Sequence, residues 1–119
     1  MGMGKRILVV DDSSVMRKLI TETLEAQGHR IVGSATNGND AIALYDSVKP
    51  DLVTMDITMK GIDGFAAAKE ILHHDANAQI IFLSNLMDEK IREDAMDLGA
   101  RGFVNKNEPA KILECINRL

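Results

Sequence analysis

Three aspartates, a serine and a lysine stand at the ends of short strand-forming runs. Ile7-Leu8-Val9-Val10 leads into Asp11-Asp12, Leu52 to Met55 into Asp56, Ile80 to Leu83 into Ser84, and Gly102 to Asn105 into Lys106. If the runs lie parallel, these ends share one rim and the three carboxylates converge on a few ångströms. Like charges that close disfavour full ionisation, so a cation belongs among them. A few hard oxygen ligands supplemented by water suit octahedral magnesium, and no Cys/His set is available for zinc. The formal charge then balances, with Asp11, Asp12 and Asp56 offset by a divalent ion and Lys106. Such a cluster suits phosphoryl transfer, which is catalysed mainly by positioning and electrostatics. An aspartate can itself be the nucleophile and become an acyl phosphate. The metal and the lysine would neutralise phosphoryl oxygens, and the serine hydroxyl would donate to one.

The residues between these runs supply the elements that position them. A helix is predicted from Ser14 to Gln27, with Ser13 as cap, Gly28 as stop, and Met16, Leu19, Thr23 and Leu24 on its buried face. Arg30 to Ala35 mixes polar with apolar residues and reads as an edge strand. Asn37-Gly38 turns into a second helix with a stripe of Ala41, Leu44, Tyr45 and Val48, ended by Pro50. The third strand is predicted over Asp51 to Met55. A loop from Ile57 to Asp63 then leads to a helix with Phe65, Ala68 and Leu72 inward. After the fourth strand a helix runs from Asp88 to Leu98, with Ile91, Ala95 and Leu98 inward and Gly99 as its stop. The last helix starts near Pro109 and buries Ile112, Ile116 and Leu119. The wholly apolar first and fourth strands suit a parallel sheet covered on both faces. Right-handed crossovers imply an α/β, doubly wound, five-stranded parallel sheet with helices on both faces, for which 2-1-3-4-5 is the natural order and whose ligands bind beyond the carboxyl strand ends.

Composition bounds the function. The 119 residues fit one domain over 1–119, with residues 1–4 as a tail whose Met1 and Met3 offer two starts, so that Met1-Gly2 is a candidate remnant. A net charge of -4 without a basic cluster argues against nucleic acid. Apolar runs are no longer than five residues, against the ~20 needed to span a membrane. A lone Cys115 makes no internal disulfide, and the absence of a signal peptide points to the cytoplasm. His29, His73 and His74 read as solvent-facing, and most methionines as core filler; Met87 and Met96 are candidates for partner contact. Taken singly, Asp11 reads as a helix cap, Ser84 as a turn residue and Lys106 as a solvated lysine. Their company at one rim carries the functional reading.

The motifs VVDDSS (Val9 to Ser14), VTMDITM (Val53 to Met59), DG (Asp63-Gly64), FLSN (Phe82 to Asn85) and GARGFVNK (Gly99 to Lys106) resemble the receiver domains of two-component response regulators. The resemblance covers nearly the whole chain and implies a CheY-like (βα)5, flavodoxin-like fold. It implies Asp56 as phosphoacceptor, and magnesium held by Asp11, Asp12, Asp56 and the backbone carbonyl of Thr58. Ser84 and Lys106 would complete the site, and Phe103 would be the switch aromatic. In that family the hydroxyl moves toward the phosphoryl group, the aromatic turns inward, and the surface of the fourth helix, fifth strand and fifth helix changes. The implied partners are a sensor histidine kinase or phosphotransfer protein and a downstream target, such as a flagellar motor switch or relay partner. No output domain is expected after the last helix, so the output is expected to be a protein rather than DNA.

Several positions depart from the family pattern. Lys60 and Asn107 stand where prolines are usual, and Asn85 where a small residue is usual. A cis bond without proline costs ~2.5–4 kcal/mol, so the Lys106-Asn107 bond is expected to be trans or visibly strained. Asn85 would narrow the approach of a phosphodonor. Thr58 and Leu86 occupy positions that tune dephosphorylation in the family, and neither is a strong base, so self-hydrolysis is expected to be slow. Two other readings stand beside the switch. One is an atypical receiver that binds its partner without phosphorylation. The other is a small magnesium-dependent phosphohydrolase of the haloacid-dehalogenase type, although Asp56-Ile57-Thr58 lacks the second acid that family places two residues on.

Overall fold

The computed structural model describes residues 4–59, 61 and 63–119. Five parallel strands, β1 (Arg6–Val10), β2 (Arg30–Ala35), β3 (Leu52–Asp56), β4 (Ile80–Ser84) and β5 (Gly102–Asn105), form one sheet in the order β2-β1-β3-β4-β5. Helices α1 (Ser14–Glu25), α2 (Gly38–Val48), α3 (Gly64–His74), α4 (Glu89–Leu98) and α5 (Pro109–Asn117) follow the strands in turn. This is the expected doubly wound architecture, with the winding reversing between β1 and β3.

Strand periodicity explains why β1 is apolar throughout. Ile7 and Val9 enter the layer of α1 and α5, with Ile20, Leu24, Ile112 and Ile116. Leu8 and Val10 enter the opposite layer, with Ala41 and Tyr45 of α2 and Ala67, Ala68 and Ile71 of α3. Successive side chains of a strand point to opposite faces, so a covered central strand needs apolar residues at every position. β2 pairs only with β1 and keeps most of its residues half-buried or exposed, as an edge does.

Side chains cap four of the five helices. Ser13 accepts from the Met16 N–H, Asn37 from Asp40, Asp63 from Ala66, and Asp88 from Lys90 and Ile91. Each satisfies a first-turn N–H that has no partner inside the helix. α5 lacks such a cap and starts instead on Pro109, which has no N–H to satisfy. At the other ends, Gly99 stops α4 at a φ of 108°, which side chains with a Cβ avoid. Pro50 disfavours helical geometry at the residue before it, and Lys49 leaves α2 with a φ of 44°.

Some expectations shift. In α1 the inward stripe is Met16, Ile20 and Leu24, whereas Leu19 lies on the solvent side at 41% exposure. A repeat of four keeps 16, 20 and 24 over one another, and Leu19 falls off that line. α1 ends at Glu25 rather than Gln27, and the chain turns through Ala26 to Gly28. α5 ends at Asn117, which leaves Leu119 at 37% exposure instead of buried. In α3 the deepest residues are Ala67, Ala68 and Ile71, with Phe65 and Leu72 half-buried. β3 runs one residue later than expected and takes in Asp56 itself.

Thr54 lies fully buried in the middle of β3, and its Oγ1 is the one buried side-chain polar atom without a hydrogen-bond partner among the described residues. Valine reproduces its shape without the hydroxyl. Thr54→Val should raise the unfolding free energy by ~1 kcal/mol, read as a higher urea midpoint at unchanged slope. A lower midpoint would mean that the hydroxyl is satisfied in solution.

Candidate functional site

The carboxyl ends of β1, β3 and β5 bring four of the expected residues together. Asp11 follows β1 and is fully buried. Its Oδ1 accepts from the Ser13 N–H at 2.8 Å and its Oδ2 from the Lys106 ammonium at 3.1 Å. The same ammonium lies 3.5 Å from Oδ2 of Asp56, the buried last residue of β3. Asp56 Oδ1 accepts from the Thr58 N–H at 3.3 Å, and the Thr58 side chain is exposed. Asp12 is solvent-facing, yet one carboxylate oxygen from each of Asp11, Asp12 and Asp56 lies within 4.8 Å of the others. That spread is close to the ~4 Å separating opposite oxygens bound 2.0–2.1 Å from a magnesium ion. The donors are hard oxygens and one of them faces solvent, so the group fits magnesium.

Ser84, the buried last residue of β4, is placed differently. Its hydroxyl accepts from the Leu86 N–H and donates to the Leu86 carbonyl, both at 2.9 Å, and is thereby held by its own loop. Its backbone carbonyl accepts the Lys106 N–H at 3.1 Å. Phe103 is buried in the layer of its β4 register partner Phe82, whose ring packs 5.0 Å from that of Phe65. Leu86 is 61% exposed. The Asn107 carboxamide donates to Asn85 Oδ1 at 2.8 Å, across the gap between the β4–α4 and β5–α5 loops. No cis peptide bond occurs among the described residues, so Lys106-Asn107 is trans, as expected. Lys60 lies outside the described residues.

Burial pushes the Asp56 carboxyl up to about 6; the charge of Asp11 adds to this, and Lys106 and the Thr58 N–H oppose it. For Lys106, burial works toward the neutral amine, but the Asp11 and Asp56 carboxylates outweigh it and hold the ammonium above its ordinary range. A buried carboxylate pair thus shares one firm cation.

Three further residues build the site. Arg17, one turn into α1, donates to the Asp11 carbonyl at 2.8 Å and ties the helix to the acid-bearing turn. Asn105 accepts the Asn107 N–H on its side chain at 2.8 Å, closing a turn around Lys106. A Cβ on Gly64 would lie 2.3 Å from the Asp56 carbonyl oxygen, so the DG motif carries its glycine because α3 starts against the Asp56 backbone. Arg17 and Asn105 had no separate signal in the sequence beyond their nearness to the acids and to Lys106.

A sequence model of the response regulator receiver domain family matches residues 7–117. The chain belongs to this family. The receiver is 40% identical over 118 residues to the chemotaxis protein CheY of Thermotoga maritima, and 44% identical over 117 residues to that of Bacillus subtilis, with 98% of each chain covered in both cases. It superposes with a TM-score of 0.93 and 32% identity on a chain of the CheX-CheY-BeF3-Mg+2 complex of Borrelia burgdorferi, covering 98% of the receiver and 90% of that chain. Family membership identifies a signalling receiver. Among the described residues, no helix is long and apolar enough to cross a membrane.

The raised Asp56 carboxyl sets a pH dependence for the magnesium-free protein. Between pH ~4 and ~6 the native receiver holds a proton that the unfolded chain has released, so stability falls across this window and levels off above it. Asp56→Asn removes that fall. In EDTA the variant should match the parent near pH 4 and exceed it by up to ~3 kcal/mol above pH 6, as read from urea unfolding. A difference that is the same at both pH values would contradict the burial argument.

Proposed function

We propose that this receiver is a phosphorylation switch with Asp56 as its phosphoacceptor. The observation that carries the reading is the Lys106 ammonium buried between Asp11 and Asp56, with solvent-facing Asp12 alongside. An Asp56 oxygen attacks the phosphorus of a phosphohistidine on a sensor kinase or phosphotransfer protein. The O–P bond forms as the N–P bond breaks, and the departing imidazole nitrogen keeps the electron pair and takes a proton from solvent. Asp11, Asp12, Asp56 and the Thr58 carbonyl would hold magnesium, which supplies charge neutralisation at the transferring phosphoryl oxygens. Lys106 neutralises a further oxygen. Ser84 leaves its loop to donate to another, and Phe103 responds in the adjoining layer. The chain catalyses nothing beyond its own phosphorylation and dephosphorylation.

The output surface in this reading is the α4–β5–α5 face. A groove of about 470 Å³ there is bordered by Met87, Arg92, Met96, Phe103 and Lys111. Met87 and Met96 are both exposed, which suits adaptable apolar contact with a protein. Two relatives matched over 98% of their length are chemotaxis proteins, which favours chemotaxis-type signalling in the cytoplasm, with the flagellar motor switch or a phosphorelay partner as target.

With magnesium and acetyl phosphate, mass spectrometry should find one added phosphoryl group, located at Asp56 and missing from Asp56→Ala. Absence of the adduct would overturn the switch in favour of a phosphorylation-independent interaction module. Because Thr58 and Leu86 offer no base to activate water, the adduct should decay slowly. Rapid loss without any phosphatase would contradict those tuning roles.

A further inference from the structure

The Asn107–Asn85 bond joins two loops that hold different parts of the site. One carries Ser84, whose hydroxyl is occupied by Leu86, and the other carries Lys106, whose ammonium reaches the buried acids. Lys106 sits in a turn fixed at three points. Its own N–H donates to the Ser84 carbonyl at 3.1 Å, the Asn107 N–H donates to Asn105 Oδ1 at 2.8 Å, and the Asn107 carboxamide donates to Asn85 Oδ1 at 2.8 Å. The first bond continues the β4–β5 ladder, in which Ser84 and Asn105 are register partners. The third lies one residue beyond it on each strand, so a backbone bond and a side-chain bond clamp the same two loops side by side. Both carboxamides are exposed and neither touches the acids, so they act through the residues beside them.

We propose that Asn85 and Asn107 are positioning residues, a paired-carboxamide latch that holds the Lys106 turn and the Ser84 loop together so that ammonium and hydroxyl are presented to the acceptor as one unit. The role in phosphoryl transfer rests on the reading of Asp56 as phosphoacceptor, whereas the latch itself does not. A single bond between exposed groups limits its effect to about fivefold.

Two readouts separate the claims. In the unphosphorylated protein, amide hydrogen exchange at Leu86 and Lys106 should quicken about fivefold in Asn85→Ala and in Asn107→Ala, and no further in the double variant. With acetyl phosphate and magnesium, the maximal phosphorylation rate should fall by a similar factor in each single variant and no further in the double, with half-saturating acetyl phosphate unchanged in Asn107→Ala. Conservative changes test the chemistry of the pair. Asn85→Asp still accepts from the Asn107 amide, and Asn107→Asp can accept from a turned Asn85 amide, so each should keep parent-like exchange. The double aspartate variant has two acceptors and no donor and should behave like the alanine variants. Unchanged exchange in the alanine variants, or additive effects in either double variant, would overturn the latch. A parent protein that takes up no phosphoryl group would sink the acceptor reading, while exchange still decides the latch.

Discussion

The site depends on one electrostatic constraint, a lysine ammonium buried against two buried carboxylates. Removing such charges from water is expensive, and breaking a set of this kind leaves a charge uncompensated in a low-dielectric place. The strand ends must therefore arrive together. Strand order brings β1 and β3 side by side, so Asp11 and Asp56 meet with short side chains. β5 stands two strands from β3, a gap of about 9.6 Å at ~4.8 Å per spacing, which calls for a long side chain. Lysine supplies that reach with a four-carbon stem. With Asp12 counted, three carboxylates and one ammonium leave two negative charges, a remainder that matches a divalent cation.

Asp11 and Asp12 are neighbours in sequence with opposite environments, and the turn after β1 explains the difference. Asp11 is held from both sides, by the Ser13 N–H and the Lys106 ammonium on its carboxylate and by Arg17 on its carbonyl. Asp12 projects to solvent from the next position. One acid is thereby fixed inside the protein while the other meets the solvent side, the arrangement an ion arriving from water requires.

Much of this was legible in sequence because strand ends in a parallel sheet are fixed by apolar run length. The runs ending at Val10, Met55 and Leu83 each name the residue that follows them, and the order 2-1-3-4-5 makes those residues neighbours. Helix faces were less legible where two apolar residues adjoin. Leu19 and Ile20 are equally apolar, and only packing against the layer of β1 and α5 selects Ile20. Leu119 has the spacing of Ile112 and Ile116, but α5 stops at Asn117. The engagement of the Ser84 hydroxyl and the Asn85–Asn107 bond were invisible in sequence, because both depend on how loops close after their strands.

Ser84 lies on the opposite face of the sheet from the buried charges. Side-chain alternation gives Asp56 the face of Leu52 and gives Lys106 that of Val104, the layer of α1 and α5. Ser84 carries the alternation of Ile80 and Phe82 and faces the layer that holds Phe103 and Ala95 of α4. Charge thus collects on one side of the sheet, while the hydroxyl and the aromatic lie on the other. The Ser84 carbonyl takes the Lys106 N–H, and its hydroxyl is held only by local bonds to Leu86. Asp56 stands a single strand spacing from Ser84, whose backbone is fixed by the ladder and whose hydroxyl is held by two short-range bonds. Those two bonds lie within the β4–α4 loop, so they can break without disturbing the ladder that keeps Lys106 in position.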